Sequence, residues 1–427
     1  MVINVIRKQK HIYIMKHILK LGSLLPIFLM IVACTEVEKG QYAIDTVAPG
    51  TISNYSVTNK EGKSVITYDL PDDEDLLYVK ASYKLNNGKD MEVKASAYVN
   101  ELEVLGFGKA AEHDIKVTTV DRSGNESEPV IVKVTPLDNP IYKIFDEMQV
   151  ASDFGGLSLK WENETEEEII ISVTTPNEYG EMVSAQNFYT KAAQGAGFVR
   201  GYSTETSETE GRRFAITITD HWGNQTDVKD EIFYPIYEIQ IPSDRFAKYV
   251  VPGYGDPGVY NSSKTPYTKL WNNSWGTNDD HYHSKVGQKW PFNFGMNLGR
   301  LVKLSRFKYY QRTGGSKWKY LFAHGNPKRF KVYGVPATSG GVILDVTEPN
   351  NDWILLTEFT STKPSGLPLE QTNSDDQAVG NNGEDVLIPI EAPAVQWIRI
   401  EVEETWGGVK DFIHMAELTF YGSLVEN

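Results

Sequence analysis

Ile115-Lys116-Val117-Thr118-Thr119-Val120-Asp121-Arg122-Ser123-Gly124-Asn125 decides the fold, because the chain writes it twice. Phe214-Ala215-Ile216-Thr217-Ile218-Thr219-Asp220-His221-Trp222-Gly223-Asn224 repeats it 99 residues further on. In both copies apolar residues alternate with polar ones, the period of a strand with one buried face. Each strand runs into Asp-x-x-Gly-Asn, a turn in which the Asp side chain caps backbone donors and Gly takes the left-handed conformation. A second echo lies upstream, where Ser64-Val65-Ile66-Thr67-Tyr68 parallels Leu157-Ser158-Leu159-Lys160-Trp161. Two anchors at nearly equal offsets argue for tandem copies of one unit.

Outward from that repeat, short alternating runs bounded by Gly and Pro dominate, and nowhere does an apolar 3.6-residue period persist over three turns. The chain reads as all-β. Boundaries fall where Pro interrupts strand pairing: near Ala48-Pro49, between Pro136 and Pro140, and near Pro235. An early strand ending on Tyr68 or Trp161, then Pro71 and Tyr78-Val79-Lys80-Ala81-Ser82-Tyr83, and the late strand before the Asp-x-x-Gly turn resemble fibronectin type III domains. The resemblance implies two Ig/fibronectin III-like β-sandwiches, over residues 48–137 and 138–236. His113 stands where that family usually places a Tyr. The acidic run Glu164 to Glu168 leads straight into Ile169-Ile170-Ile171 and reads as a solvated turn before a buried strand.

From about residue 237 Trp becomes common and Lys and Arg rise. Six landmarks follow in order: Lys269 to Asn273; His281-Tyr282-His283-Ser284; Phe292 to Gly299; Val302 to Arg312; Lys328 to Gly334; and the closing pair Trp397 to Val402 and Ala416 to Gly422. The series resembles the discoidin, or factor five/eight C-type, galactose-binding-like jelly roll, which implies that fold over residues 237–427. It also implies a structural calcium, with Asn272, Asp279, Asp280 and Glu417 as candidate oxygens. Asn272-Asn273 replaces the family's Asp-Gly, a departure at that site.

Cys34 is the chain's one cysteine. Before it come Arg7, Lys8, Lys10, Lys16 and Lys20, the apolar run Leu24 to Val32 and the small Ala33, which together read as an export signal over residues 1–33. A cysteine directly after the small residue resembles the bacterial lipobox, whose thiol is acylated. The linker 34–47 opens with Thr35-Glu36-Val37-Glu38, which resembles the surface-export tag of Bacteroidota lipoproteins. The whole arrangement resembles a Bacteroidota surface lipoprotein family associated with polysaccharide utilisation. That implies an outer-membrane protein anchored by its N-terminal lipid, facing the exterior beside a glycan importer complex.

Formal charge is −15 and becomes −20 once the five basic residues of the leader are gone. Such a surface repels phosphate backbones, so nucleic acid is excluded as a partner. Neither Gly-x-Ser-x-Gly nor His-Glu-x-x-His occurs, and no Gly-rich strand-to-helix turn exists for phosphate. His281 and His283 would share a strand face, yet no third zinc ligand follows at a telling spacing. The chain is therefore expected to be no enzyme. A sugar site needs an aromatic platform fringed by polar groups. Trp271, Trp275, Arg312, Trp318, Tyr320, His324, Asn326 and Trp406, all in loops of the last domain, are the expected ligand contacts. Trp290, Phe292 and Phe294 alternate onto one strand face and are assigned to the core. The expected function is capture of carbohydrate at the cell surface; the alternative is an adhesion or complex-forming lipoprotein that meets a partner protein through the same domain.

Overall fold

The structure is a computed structural model that describes residues 46–336, 338–339, 342–343 and 353–425. The leader, Cys34 and the stretch after it lie outside the described residues. The chain falls into two compact units, the first ending at Asn139 and the second starting at Pro140. It is all-β, a succession of β-sandwiches. Among the described residues no helix is long and apolar enough to cross a membrane.

In the first unit a three-stranded sheet (Ser53–Lys60, Lys63–Asp69, Glu101–Leu105) faces a four-stranded one (Asp90–Ser96, Leu76–Lys84, His113–Asp121, Val130–Val134). Their inward positions, among them Ile66, Val79, Val104, Ile115 and Val132, are fully buried. The second unit opens with the same plan. Gln149–Asp153, Gly156–Glu162 and Gln194–Val199 form one layer, and Met182–Thr190, Ile169–Pro176, Arg212–Asp220 and Lys229–Phe233 the other.

The two repeated turns are built alike. Asp121 accepts the Asn125 backbone N–H on Oδ1 and the Asn125 side-chain amide on Oδ2, both at 2.8 Å. Asp220 does the same for Asn224 at the same distances. Gly124 and Gly223 hold φ of +86° and +89°, which a side chain would resist. The acidic run before Ile169 turns at Glu166, and Ile169, Ile171 and Val173 then point into the core.

The last sandwich is organised by one long strand, Phe292–Tyr310. It pairs with Val395–Thr405 along its first part and with Glu417–Leu424 along its second. The change of partner falls around Gly299, φ +67°. Phe292, Phe294, Phe307, Ile400 and Phe420 fill the core, and Trp290 packs partly buried against it. Trp397, out of phase with Ile398 and Ile400, is buried as well. Apolar burial of this extent, at about 25 cal/mol per Å2, is what holds the domain together.

Candidate functional site

Two short strands, Tyr282–His283 and His414–Met415, pair antiparallel, setting His283 opposite His414. Alternation sends Tyr282 and Met415 into the core, where the Tyr282 hydroxyl donates to Gly258 O at 2.9 Å. It leaves His281 and His283 on the other face. Beside them lies the loop that follows the long strand. Asn326 closes that loop by donating from Nδ2 to the carbonyls of Arg312 and Tyr320 (3.0 and 2.6 Å), while its Oδ1 accepts the Arg312 N–H at 2.9 Å. Phe322 N–H donates to Gln311 Oε1, and Thr313 Oγ1 donates to Gly276 O, tying the loop to the 276–281 turn.

Four imidazoles meet here. Ring centroids lie 6.2 Å apart for His281 and His414, 5.6 Å for His283 and His414, and 5.1 Å for His324 and His414. Their tautomers follow from their partners. His281 Nδ1 faces Asp279 O at 2.7 Å and His283 Nδ1 faces Ser284 O at 2.8 Å, so each carries its proton there. His414 Nε2 accepts the Gly325 N–H at 3.2 Å, hence His324 Nδ1, 2.9 Å away, is a donor to it. The Nε2 atoms of His281, His283 and His324 are left as lone pairs with no partner among the described residues. Burial lowers the proton affinity of all four imidazoles, and the Arg312 charge lowers it further; His414, wholly enclosed, is pushed well below the ordinary value.

Half-buried Phe412 stands among them, stacked on His283 at 4.6 Å and tilted against His324 at 5.1 Å. Tyr260, largely exposed, lies tilted against His283 at 4.9 Å. Arg312 makes a two-point contact with Asp279 (3.0 and 3.3 Å) and lies 4.0 Å over the Tyr320 ring. Two glycines permit these approaches. A Cβ on Gly325 would fall 2.8 Å from the Phe412 ring, and one on Gly407 would fall 2.7 Å from the His324 backbone. Asp279, Trp318, Phe322 and His324 all hold positive φ, between 49° and 56°. For residues with side chains each such position costs ~1–3 kcal/mol and persists only where the surroundings enforce it.

The expected ligand residues are not all placed alike. Tyr320, exposed His324 and half-buried Arg312 gather at this cluster. Asn326 is fully buried with its amide satisfied, so it shapes the loop rather than facing solvent. The tryptophans are half-buried, each against residues of another segment. Trp271 packs against the core beside Phe246 and Tyr267. Trp275 stacks on Tyr310 and donates its indole N–H to Asn381 O at 2.8 Å. Trp318 lies over Gly380 of the helix Ser374–Asn382, and Trp406 meets Phe322 edge-on while its N–H donates to Ser361 Oγ. The physical reason is loop length: these irregular segments have no sheet to bury, and large apolar rings fill the space beneath them. Phe412, His414 and Tyr260 were not among the expected contacts. Phe412-Ile413-His414 carries an alternating signal of its own, but only the ladder to His283 shows where it points.

The proposed calcium oxygens are divided among different partners. Glu417, buried, accepts the backbone N–H groups of Asn272 and Asn273 at 3.0 and 3.1 Å. Asp280 takes Lys269 and the Asn272 side chain, and Asp279 takes Arg312. The turn thus presents amide donors to Glu417, whereas a hard cation needs oxygen donors directed at one point. Among the described residues no three His, Cys, Asp or Glu side chains gather in a metal-holding group, the histidine cluster included.

Three family models match this chain, each a domain of unknown function: DUF4959 over residues 49–136, DUF5126 over 137–244 and DUF5000 over 271–422. No curated protein matches. Similar solved structures include a SusE-like protein, 24% identical, covering 67% of this chain and 100% of its own, with a TM-score of 0.41. A Bacteroides thetaiotaomicron fragment named as a candidate chitobiase is 14% identical, over 44% of this chain and 95% of its own, with a TM-score of 0.27. The CBM32-1, CBM32-2 and M60 catalytic domains of Clostridium perfringens ZmpB are 13% identical, over 43% of this chain and 14% of theirs, with a TM-score of 0.28. At these TM-scores the likenesses carry no argument about function.

Proposed function

We propose that this chain is a non-catalytic glycan-binding protein whose site is the loop cluster of Arg312, Tyr320, His324 and Phe412. One observation carries the reading. Three imidazoles spend their Nδ1 protons inside the fold and keep Nε2 lone pairs with no partner among the described residues; two of them, His283 and His324, lie against a half-exposed ring, and a guanidinium stands beside the group. Sugar hydroxyls donate to such lone pairs and accept from such a cation, while sugar C–H faces cover the rings. Neither a metal-bound water nor a nucleophile paired with a base is needed for that chemistry. The same reading takes the sandwiches as fibronectin-like and discoidin-like, the anchor as a lipid on Cys34, and the location as the outer-membrane surface next to a glycan importer.

Calorimetry or affinity electrophoresis of the full chain against a polysaccharide panel tests it. Phe412→Ala and His324→Ala are expected to weaken binding about tenfold or more, ~1.4 kcal/mol, with little dependence on salt because no net charge is neutralised. Trp406→Ala, whose half-buried ring is held by Phe322 and Ser361 and lies outside the imidazole cluster, should matter less. Absence of binding across the panel, or binding indifferent to Phe412 and His324, contradicts the proposal.

A further inference from the structure

His414 is fully buried, and its two nitrogens are committed in opposite senses. Nδ1 gives its proton to Asn326 Oδ1 at 3.1 Å. Nε2 takes the Gly325 N–H and the His324 Nδ1–H. Asn326 cannot reverse, because its Nδ2 already donates to two carbonyls of the same loop. Nor can Gly325 offer anything but a proton. A second proton on His414 would stand against a backbone N–H in a buried place, and an unmet clash of donors there costs more than the contact is worth.

The groups around it make that proton harder still to accept. His283 faces it from the paired strand and His281 from the residue before that strand, His324 and Arg312 from the loop, with Lys319 acting on His324. Of the carboxylates on the packed elements, Asp279 is spent on Arg312, Glu370 acts on His324, and Asp411 accepts the Gly287 N–H. Tyr320, 5.9 Å away, and Phe412, 6.3 Å away, bring no charge.

We infer that His414 is the positioning residue of the candidate site: it holds the 320–326 loop only as a neutral imidazole, so that acidification frees the loop and releases bound sugar. The latch rests on the fold alone; the release rests on the glycan reading above. Binding is then favoured near neutrality and given up in acid, a coupling between a proton and a ligand that share one loop.

The full chain, labelled with 13C in its histidine rings and titrated from about pH 8 to about pH 4, tests the latch without any ligand. The His414 resonance is expected to titrate below the ordinary histidine range, and amide exchange at Gly325 to accelerate at least tenfold over the same interval. Gly325 protection that outlasts the His414 titration, or a His414 that titrates in the ordinary range, overturns the proposal. His414→Gln, which cannot gain a charge, should remove the pH dependence of Gly325 exchange; if that variant fails to fold, the unmodified chain decides alone. Glycan affinity supplies the second arm. It should fall below the His414 titration by up to tenfold per pH unit more than in His414→Gln, which keeps only the loss from protonating the sugar-facing His281, His283 and His324; equal profiles overturn the release. A latch that behaves as expected in a chain that binds no glycan at any pH removes the glycan reading and keeps the latch.

Discussion

Glu417 shows how much one buried group decides in the last sandwich. Burial pushes its carboxyl up to about 8, against the pull of the Asn272 and Asn273 amides. A folded-state value above the ordinary 4.5 means that the fold holds the proton more tightly than the unfolded chain does. The stability it contributes is therefore full below pH 4.5 and is lost as pH rises toward 8, on the order of a kcal/mol per pH unit. The buried imidazoles have the opposite sign and lose stability as pH falls below their ordinary 6.5. Glu417→Gln is expected to flatten the alkaline loss while keeping the turn. Glu417→Ala leaves two amides without an acceptor and should cost about 1–3 kcal/mol at every pH. Unfolding midpoints at acid and alkaline pH check both; a Gln variant with an unchanged pH slope contradicts the assignment.

Among elements, the strand Gln194–Val199 of the middle sandwich is the most exacting. Gly195 and Gly197 lie directly over Trp161 and Phe188, where a Cβ would come within 2.3 and 2.5 Å of the rings. Gly195→Ala should destabilise this sandwich by ~1–3 kcal/mol through overpacking, read as a lower denaturation midpoint; an unaltered midpoint would show that the layers can part. Such a contact is invisible in the chain itself, where Gly195 and Gly197 only look like a weak strand. The alternating runs were legible, as were both Asp-x-x-Gly-Asn turns and the burial of Phe292 and Phe294, because each depends on residues a few positions apart. The site was legible only in part. Arg312, Tyr320 and His324 stand in one loop and could be grouped by proximity, but His283 meets His414 through a ladder that joins residues far apart in the chain. Trp275 and Trp406 read in the chain as loop rings, and the partners that half-bury them, Tyr310, Asn381 and Ser361, come from other elements and are not legible there.

At the scale of the molecule, the middle and last sandwiches of the second unit are joined through charge as well as chain. Glu238, buried just past the middle sandwich, accepts Arg200 from that sandwich at 2.7 Å and Arg306 from the long strand at 3.3 Å, and Arg306 continues to Asp385 at 2.7 Å. Buried guanidinium groups persist only when such partners are in place. The central claim is that a sugar binds at the loops that carry Arg312, His324 and Phe412. His324, exposed and with no partner for its Nε2 among the described residues, reports on that claim by its reactivity. The full chain would be treated with a histidine-acylating reagent, with and without a saturating polysaccharide from the panel, and acylation mapped peptide by peptide. Protection of His324 by the bound glycan is the result the account expects. A glycan that binds tightly and leaves His324 fully reactive would contradict it.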